Sequence, residues 1–309
     1  MICVLIPAYN EPELLCRAIK SIIEQDYRPI KIFVADDASP KQLLSTKQIE
    51  YFTNITGIDF IFKKFSQNVG AHLNFLRALK LIDSKYFIYF QHDDYFIDNN
   101  FISRAITSLN NTNNVYAYLS NSRLEADQTL MLNGLGPDQI FLLKEQSFLS
   151  EFFSKYITNY SAVILDLDTL IKRNYFDVLV NQEDIRRYKV VGDEGFVGLI
   201  LLSINASIFI DTSVTVIRGY NKDSFSRSVY WRNHVNSAVF LTYFKLIKYF
   251  VSIKLFRNSF ILSKQLIKYY PINKVNLKLI FCIKPALLSI TLYILSWIIL
   301  LVRKLKKYI

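Results

Sequence analysis

The chain opens with a continuous apolar run, Ile2–Ile6, that ends at Pro7-Ala8-Tyr9-Asn10. A short unbroken run of this kind predicts a strand buried on both faces. From Glu11 to Gln25 the residues Leu14, Leu15, Ala18, Ile19, Ile22 and Ile23 fall at helical spacing, which predicts a helix. Ile30–Ala35 predicts a second strand, closed by Asp36-Asp37-Ala38-Ser39-Pro40, and Lys41–Phe52 a second helix. Asp59–Lys63 predicts a third strand, and Asn68-Val69-Gly70 opens a helix to about Ile82. Lys85–Phe90 predicts a fourth strand, ending at Gln91-His92-Asp93-Asp94. Alternating strands and helices imply an α/β fold with a mainly parallel sheet. In such sheets ligands bind beyond the carboxyl ends of the strands, so the polar turns after the first, second and fourth strands are the candidate site.

Beyond Val115 the pattern is mixed. Tyr116–Leu119, Ser161–Leu165 and Ser207–Asp211 predict strands, and Ser147–Tyr156 and Asp193–Ser203 predict helices. No internal repeat is visible. After Arg218 apolar runs alternate with basic residues: Ser237–Phe256 is punctuated by Lys245, Lys248 and Lys254. Pro285–Val302 is 18 residues without a charge, followed by Arg303, Lys304, Lys306 and Lys307. The expected division is a folded body, 1–217, and a basic helical region, 218–309, that associates with a membrane.

Charge sharpens that division. The net charge is +11, yet Arg218–Ile309 holds 17 of the 37 Lys and Arg and one of the 26 acids, a net of +16 that leaves −5 on the body. A basic tail suits nucleic acid or an anionic membrane. Nucleic-acid arms are polar between their charges and this tail is apolar there, so the expected partner is a membrane surface and not nucleic acid. As a helix, Pro285–Val302 is ~27 Å long, short of the ~30 Å hydrocarbon core. A single crossing would also part the basic end from the body, although both favour the cytoplasm. An interfacial or re-entrant segment resolves this, with packed helices or a dimer interface as the alternative. The start, MICVLIPAYN, has no basic leader and no small-residue cleavage site. The expected location is the cytoplasmic face of the plasma (inner) membrane, peripheral or monotopic.

A chain that is 51% hydrophobic and 20% charged is not disordered. Three scattered Cys with no CxxC pair, and three His with no HExxH, exclude a zinc ribbon, a disulfide framework and that metalloprotease class. No GxGxxG follows the first strand and no GxxxxGK[ST] occurs, which argues against a dinucleotide dehydrogenase and a P-loop nucleotidase.

Four clusters occur in order: Val4-Leu5-Ile6-Pro7-Ala8-Tyr9-Asn10-Glu11, Phe33-Val34-Ala35-Asp36-Asp37-Ala38-Ser39, Asn68-Val69-Gly70 and Gln91-His92-Asp93-Asp94. Together they resemble the family 2 glycosyltransferases of bacterial surface-polysaccharide type, over roughly the first 220 residues. The resemblance implies the GT-A nucleotide-diphospho-sugar transferase fold, Rossmann-like with a mainly parallel sheet, followed here by the basic, hydrophobic helical region. It implies an inverting, metal-dependent transfer from a UDP-, GDP- or dTDP-sugar to a glycan or lipid-linked glycan acceptor.

The residues then take roles. Tyr9 offers a ring to stack on a base, and Asp37 accepts a hydrogen bond from a uracil or guanine imide N–H. A core ring and a helix cap are the structural alternatives. Pro7, Asn10 and Glu11 complete the first turn of the donor site, with Asn68, Gly70 and Arg77 beside the nucleotide. The diphosphate leaving group needs a divalent cation, Mn²⁺ or Mg²⁺, and hard cations prefer carboxylate oxygens. Asp93 is the expected direct ligand, supported by Asp94. Gln91 stands where the family's Asp-x-Asp-Asp has its first Asp, and His92 is read as a turn residue. Two acidic pairs compete for the general base, Glu183-Asp184 and Asp193-Glu194. Ile185-Arg186-Arg187-Tyr188 lacks the apolar helix that follows the base in the family. Asp193 precedes Phe196, Val197, Ile200 and Leu201 at helical spacing, then Ile208-Phe209-Ile210 and Arg218, so Asp193 is the expected base. Arg218-Gly219-Tyr220-Asn221, with Ser224 and Ser226, resembles a segment that puts a cation near the diphosphate. Direct transfer to a polyprenyl phosphate, and an inactive nucleotide-binding scaffold suggested by Gln91, stay open beside this reading.

Overall fold

The computed structural model describes residues 1–130, 132, 136, 138–144, 159–188, 194–219, 229–255, 258, 259, 261 and 262. Its first half follows the expected alternation: β1 (Ile2–Ala8), α1 (Pro12–Ile23), β2 (Ile30–Asp36), α2 (Thr46–Thr53), β3 (Ile58–Lys64), α3 (Ala71–Leu79) and β4 (Tyr86–Tyr89). Next come β5 (Tyr95–Phe96), α4 (Phe101–Asn111), β6 (Val115–Leu124), β7 (Ile140–Lys144), a 3₁₀ turn (Tyr160–Ala162), β8 (Val163–Asp166) and α5 (Leu167–Lys172). The remaining elements are α6 (Tyr175–Val178), α7 (Gln182–Tyr188), α8 (Glu194–Leu202), β9 (Ser207–Arg218) and α9 (Val229–Ser252).

Among the described residues one sheet runs β3-β2-β1-β4-β8-β6-β9-β5, with β7 also paired to β9. The pairs β1–β2, β1–β4, β2–β3 and β6–β9 are parallel. The antiparallel pairs all involve β8 or β9: β4–β8, β6–β8, β5–β9 and β7–β9. β1 is central and buried along its whole length. Alternate residues of a strand face opposite sides. Ile2, Val4 and Ile6 join Leu15, Ile19 and Ile22 of α1 and Phe101 and Ala105 of α4 in one core cluster. Cys3 and Leu5 are equally buried on the opposite face, where α3 lies against β1 and β2.

Several expected boundaries move. β1 continues through Pro7 and Ala8 instead of turning there. β4 pairs β1 only as far as Leu5, whose carbonyl accepts from Phe90 N–H at 2.9 Å. Pro7, two residues on, turns its missing N–H to that same edge where the pairing has ended, so no ladder bond is lost. The second helix starts at Thr46, because Ser45 forms a capping box: Gln48 N–H donates to its hydroxyl at 3.3 Å, and Gln48 Oε1 accepts from its N–H at 2.8 Å. The strand expected at Ser207–Asp211 runs on to Arg218, and the helix expected from Ser237 begins at Val229. The helix expected at Ser147–Tyr156 lies outside the described residues, as does Pro285–Val302. Among the described residues no helix is long and apolar enough to cross a membrane.

The chain clusters into two compact units, Met1–Arg173 with Gly198–Lys222, and Asn174–Val197 with Asp223–Ile309. In the second, Lys245 of α9 pairs with Asp184 of α7 and donates to the Leu179 carbonyl at 2.6 Å. Phe196 stacks on Tyr243 with ring centroids 5.2 Å apart.

In the first unit a buried polar node ties β6, β9 and α4 together. Asp211, with no exposed surface, accepts from Tyr118 Oη at 2.9 Å and from Arg104 Nε and Nη2 at 3.0 and 2.9 Å. Removing one partner of a buried ion pair leaves uncompensated polar groups. Asp211→Ala is expected to destabilise the protein by about 3 kcal/mol, and Tyr118→Phe by about 1 kcal/mol, read from urea midpoints. A shift below about 0.5 kcal/mol for Asp211→Ala would show that the node is dispensable.

Candidate functional site

The carboxyl ends of β1 and β2 are joined by their turns. Asp37 N–H donates to the Ala8 carbonyl at 3.0 Å, and Asn10 N–H to Ser39 Oγ at 3.0 Å. Asn10 and Ala38 hold left-handed conformations, φ 62° and 58°, as sharp turns require. Pro7 is buried within the strand, whereas Tyr9 is 42% exposed, so its ring is not a core residue. Glu11 caps α1 through its backbone, its carbonyl accepting from Leu15 N–H at 3.1 Å.

The adjacent acids Asp36 and Asp37 do different work. Asp36 shapes its own turn, accepting from Ser39 N–H at 2.8 Å. Asp37 reaches across to the segment after β3. Its Oδ1 accepts from Val69 N–H at 2.9 Å and Arg77 Nη2 at 2.6 Å, and its Oδ2 accepts from Gly70 N–H at 2.8 Å. Gly70 is the N-cap of α3 with φ 85°, a backbone that favours glycine, and Asn68 Oδ1 accepts its N–H at 3.1 Å. Arg77 also donates from Nε to Asn74 Oδ1 and from Nη1 to the Gln67 carbonyl, each at 3.0 Å, and lies over the Phe65 ring at 3.7 Å. Burial pushes the Asp37 carboxyl above its usual range, opposed by the Val69 and Gly70 N–H groups and by Arg77. A carboxylate has about four acceptor positions, so one remains, on Oδ2.

β4 leads into the second acidic pair. Asp94 is fully buried. Its Oδ2 accepts from Asn159 Nδ2 at 2.7 Å and Ser161 Oγ at 2.6 Å, and its Oδ1 from Gly219 N–H at 3.1 Å. Burial, and then the charge of Asp93, push its pKa up to about 7 against those three donors. Ser161 also accepts from Gln91 N–H at 2.9 Å, which pins the start of the turn. Asp93 differs: it is half-buried, and among the described residues no hydrogen bond or ion pair engages its carboxylate. His92 is half-buried in the same turn. Arg218 ends β9 opposite Leu124, and Gly219 packs so close that a Cβ there would lie 1.8 Å from the Asp93 carbonyl oxygen.

These donors decide what a cation would meet. Among the described residues no group of three or more His, Cys, Asp and Glu could hold a metal. Asp94 is committed to protein donors, which leaves the Asp93 carboxylate. One carboxylate fits a cation whose other ligands come from a bound diphosphate, the usual arrangement for Mg²⁺. The expected base, Asp193, lies outside the described residues, and Glu194 opens α8. Its competitor Asp184 accepts from Asn181 N–H at 3.1 Å and is paired with Lys245. A cavity of about 520 Å³ lined by Lys85, Tyr86, Asn110 and Tyr116 sits at the opposite, amino-terminal end of β4 and touches none of these groups.

Sequence reasoning assigned no site role to Asn159 or Ser161, which stand 65 and 67 residues from Asp94, nor to Arg17 and Glu125. Gly219 was within reach, because it follows Arg218 in the segment already singled out.

The glycosyl transferase family 2 model matches residues 3–153. Two curated relatives agree with it. An uncharacterised glycosyltransferase of Rickettsia typhi is 31% identical over 114 residues, 37% of this chain and 33% of that protein. One of Rickettsia bellii is 31% identical over 116 residues, 37% of this chain and 16% of that protein. The chain therefore spans about a third or less of the length of these relatives. Among solved structures, Staphylococcus aureus TarS 1–349 in complex with UDP-GlcNAc matches with a TM-score of 0.63 and 15% identity, covering 96% of this chain and 79% of that one. The mannosyltransferase PcManGT from Pyrobaculum calidifontis, in complex with GDP-Man and Mn²⁺, matches with a TM-score of 0.56 and 14% identity, covering 86% and 71%. The mixed, mostly parallel sheet thus resembles that of the GT-A glycosyltransferases, as the sequence implied.

The two acids of the β4 turn make opposite predictions for stability. Asp94→Ala orphans three donors and is expected to cost about 2–3 kcal/mol. Asp93→Ala removes a carboxylate without partners among the described residues and is expected to change stability by less than about 0.5 kcal/mol. Chemical denaturation of both variants checks this; equal losses would contradict the division.

Proposed function

We propose that the chain is an inverting, metal-dependent glycosyltransferase. It moves a sugar from a nucleotide-sugar to a glycan or lipid-linked glycan acceptor, as in surface-polysaccharide synthesis at the cytoplasmic face of the inner membrane. The observation that carries this is the β4 turn: Asp93, a carboxylate without partners among the described residues, on a turn locked by a buried one, at the carboxyl edge where α/β sheets bind ligands.

Tyr9 stacks on the base and Asp37 reads its edge. The single acceptor left on Asp37 matches the lone imide N–H of uracil or thymine. Guanine presents two adjacent donors, N1–H and N2–H, and asks for both oxygens. A UDP- or dTDP-sugar is therefore favoured over a GDP-sugar. Asp93 would hold Mn²⁺ or Mg²⁺ beside a bound diphosphate. When bound, the cation neutralises charge on the leaving group. Asp193 takes the proton from the acceptor hydroxyl. The hydroxyl oxygen bonds to sugar C1 as the bond from C1 to the diphosphate oxygen breaks, which inverts the configuration. Asp184 is a poor rival because Lys245 and the Asn181 N–H already engage its carboxylate. Arg218 adds positive charge near the diphosphate. The basic region 218–309 attaches the enzyme to an anionic membrane surface.

The test incubates the protein with UDP-, dTDP- and GDP-sugars, with and without Mn²⁺ or Mg²⁺, and scores release of nucleoside diphosphate. Metal-stimulated release from a UDP- or dTDP-sugar is expected. No release from any donor would favour the inactive scaffold, and GDP-sugar as the best donor would overturn the reading of Asp37. Asp93→Ala is expected to lower metal-dependent turnover at least ~10²-fold, and Asp193→Asn ~10²–10⁴-fold with donor affinity kept. If Asp184→Asn does this and Asp193→Asn does not, the base is Asp184.

The tail makes a separate prediction. Each Lys or Arg near an anionic surface contributes ~1 kcal/mol that fades with salt, whereas apolar burial does not fade. The intact chain is expected to stay on anionic vesicles in high salt, and a chain lacking Pro285–Ile309 to be released. An intact protein that ignores such vesicles would overturn the membrane assignment.

A further inference from the structure

The Asp93 side chain lacks described partners, but its peptide is gripped. Its carbonyl oxygen accepts from Arg17 Nη2, on α1, at 2.9 Å. The same guanidinium donates from Nη1 to Glu125 Oε1 at 3.0 Å and lies 4.3 Å from the Tyr95 ring centroid. Tyr95, next after Asp94, donates its hydroxyl to that Glu125 oxygen at 3.4 Å. Glu125 donates its own N–H to the Arg218 carbonyl at 3.0 Å. On the other side of the Asp93 carbonyl stands Gly219, where a Cβ would come within 1.8 Å of the oxygen. The carbonyl is therefore wedged between a planar cation and a bare Cα.

Stability does not account for this arrangement. The side chains of Arg17 and Glu125 are 36% and 34% exposed, and such pairs contribute little to folding. What the pair supplies is geometry. A guanidinium offers two donors in a fixed fork, one for the Asp93 carbonyl and one for Glu125, which an ammonium cannot match.

We infer that Arg17 is a positioning residue of the donor site. By fixing the Asp93 peptide it presents the Asp93 carboxylate, one Cβ away, to the cation and diphosphate without reorganisation. Glu125 orients the fork and Gly219 leaves it room. This inference rests on the glycosyltransferase reading of the β4 turn.

The test uses the full chain, Arg17→Gln and Arg17→Lys, with UDP as the probe. Mn²⁺ uptake with and without UDP is followed by loss of the free-ion electron paramagnetic resonance signal, and metal-free UDP affinity by calorimetry. Arg17→Gln is expected to weaken Mn²⁺ uptake by the UDP complex about tenfold or more, with metal-free UDP affinity changed less than about twofold. Arg17→Lys keeps the charge but not the planar fork and is expected to fall between. Should Arg17→Gln not fold, Glu125→Gln keeps its shape, loses the charge and is expected to weaken Mn²⁺ uptake about threefold. Unchanged Mn²⁺ uptake, or an equal loss of metal-free UDP affinity, would overturn the positioning role. A wild-type chain that binds UDP but takes up no Mn²⁺ would overturn the metal at Asp93 and this inference together. One that binds no UDP would remove the donor-site reading itself.

Discussion

Asp94 is fully buried and receives hydrogen bonds from Asn159, Ser161 and Gly219. Desolvating a carboxylate costs several kcal/mol, and the arrangement persists because three donors offset it. Those donors come from segments that precede β8 and follow β9, so one side chain draws the antiparallel half of the sheet onto the end of the parallel half. The turn after β4 owes its shape to this bond set. Asp93 inherits its place from Asp94, with Arg17 and Gly219 closing on its carbonyl from two sides.

The same logic recurs on the other side of β1, at the end of β2. In each acidic pair one member builds the turn: Asp36 accepts from Ser39, and Asp94 from three donors. The other member retains capacity for a ligand. Asp37 keeps one acceptor position after Val69, Gly70 and Arg77 are served, and Asp93 has its carboxylate outside the network. Consecutive carboxylates repel, so both cannot be buried charged without compensation. At the β4 turn Asp94 is buried with donors while Asp93 is only half-buried; at the β2 turn both acids are buried, and Arg77 compensates Asp37.

The parallel half was legible in the sequence because its strands are buried on both faces and read as unbroken apolar runs, with helices of clear period between them. β5 was not, since two residues carry no period. α4 has buried Phe101, Ile102, Ala105, Ile106 and Leu109 at helical spacing, but asparagines before and after it give the stretch a loop composition. The acidic pairs were legible as strand-end clusters. Their separate duties were not, because the groups that distinguish Asp94 from Asp93 arrive from residues 159, 161 and 219. No spacing rule brings those residues to Asp94; the antiparallel pairing of β8 with β4 and β6 does. Arg77 was placed beside the nucleotide, and its fork is spent largely on holding Asp37 to the Asn68–Gly70 segment.

Asp93 is proposed to bind the catalytic cation while Asp94 holds the turn. Anomalous diffraction at the manganese edge, from crystals of the full chain grown with UDP and Mn²⁺, tests this assignment directly. One manganese peak is expected in bonding contact with an Asp93 carboxylate oxygen and with the diphosphate, with Asp94 still bound to Asn159, Ser161 and Gly219. A peak coordinated by Asp94, or bound UDP with no manganese beside Asp93, would contradict the assignment.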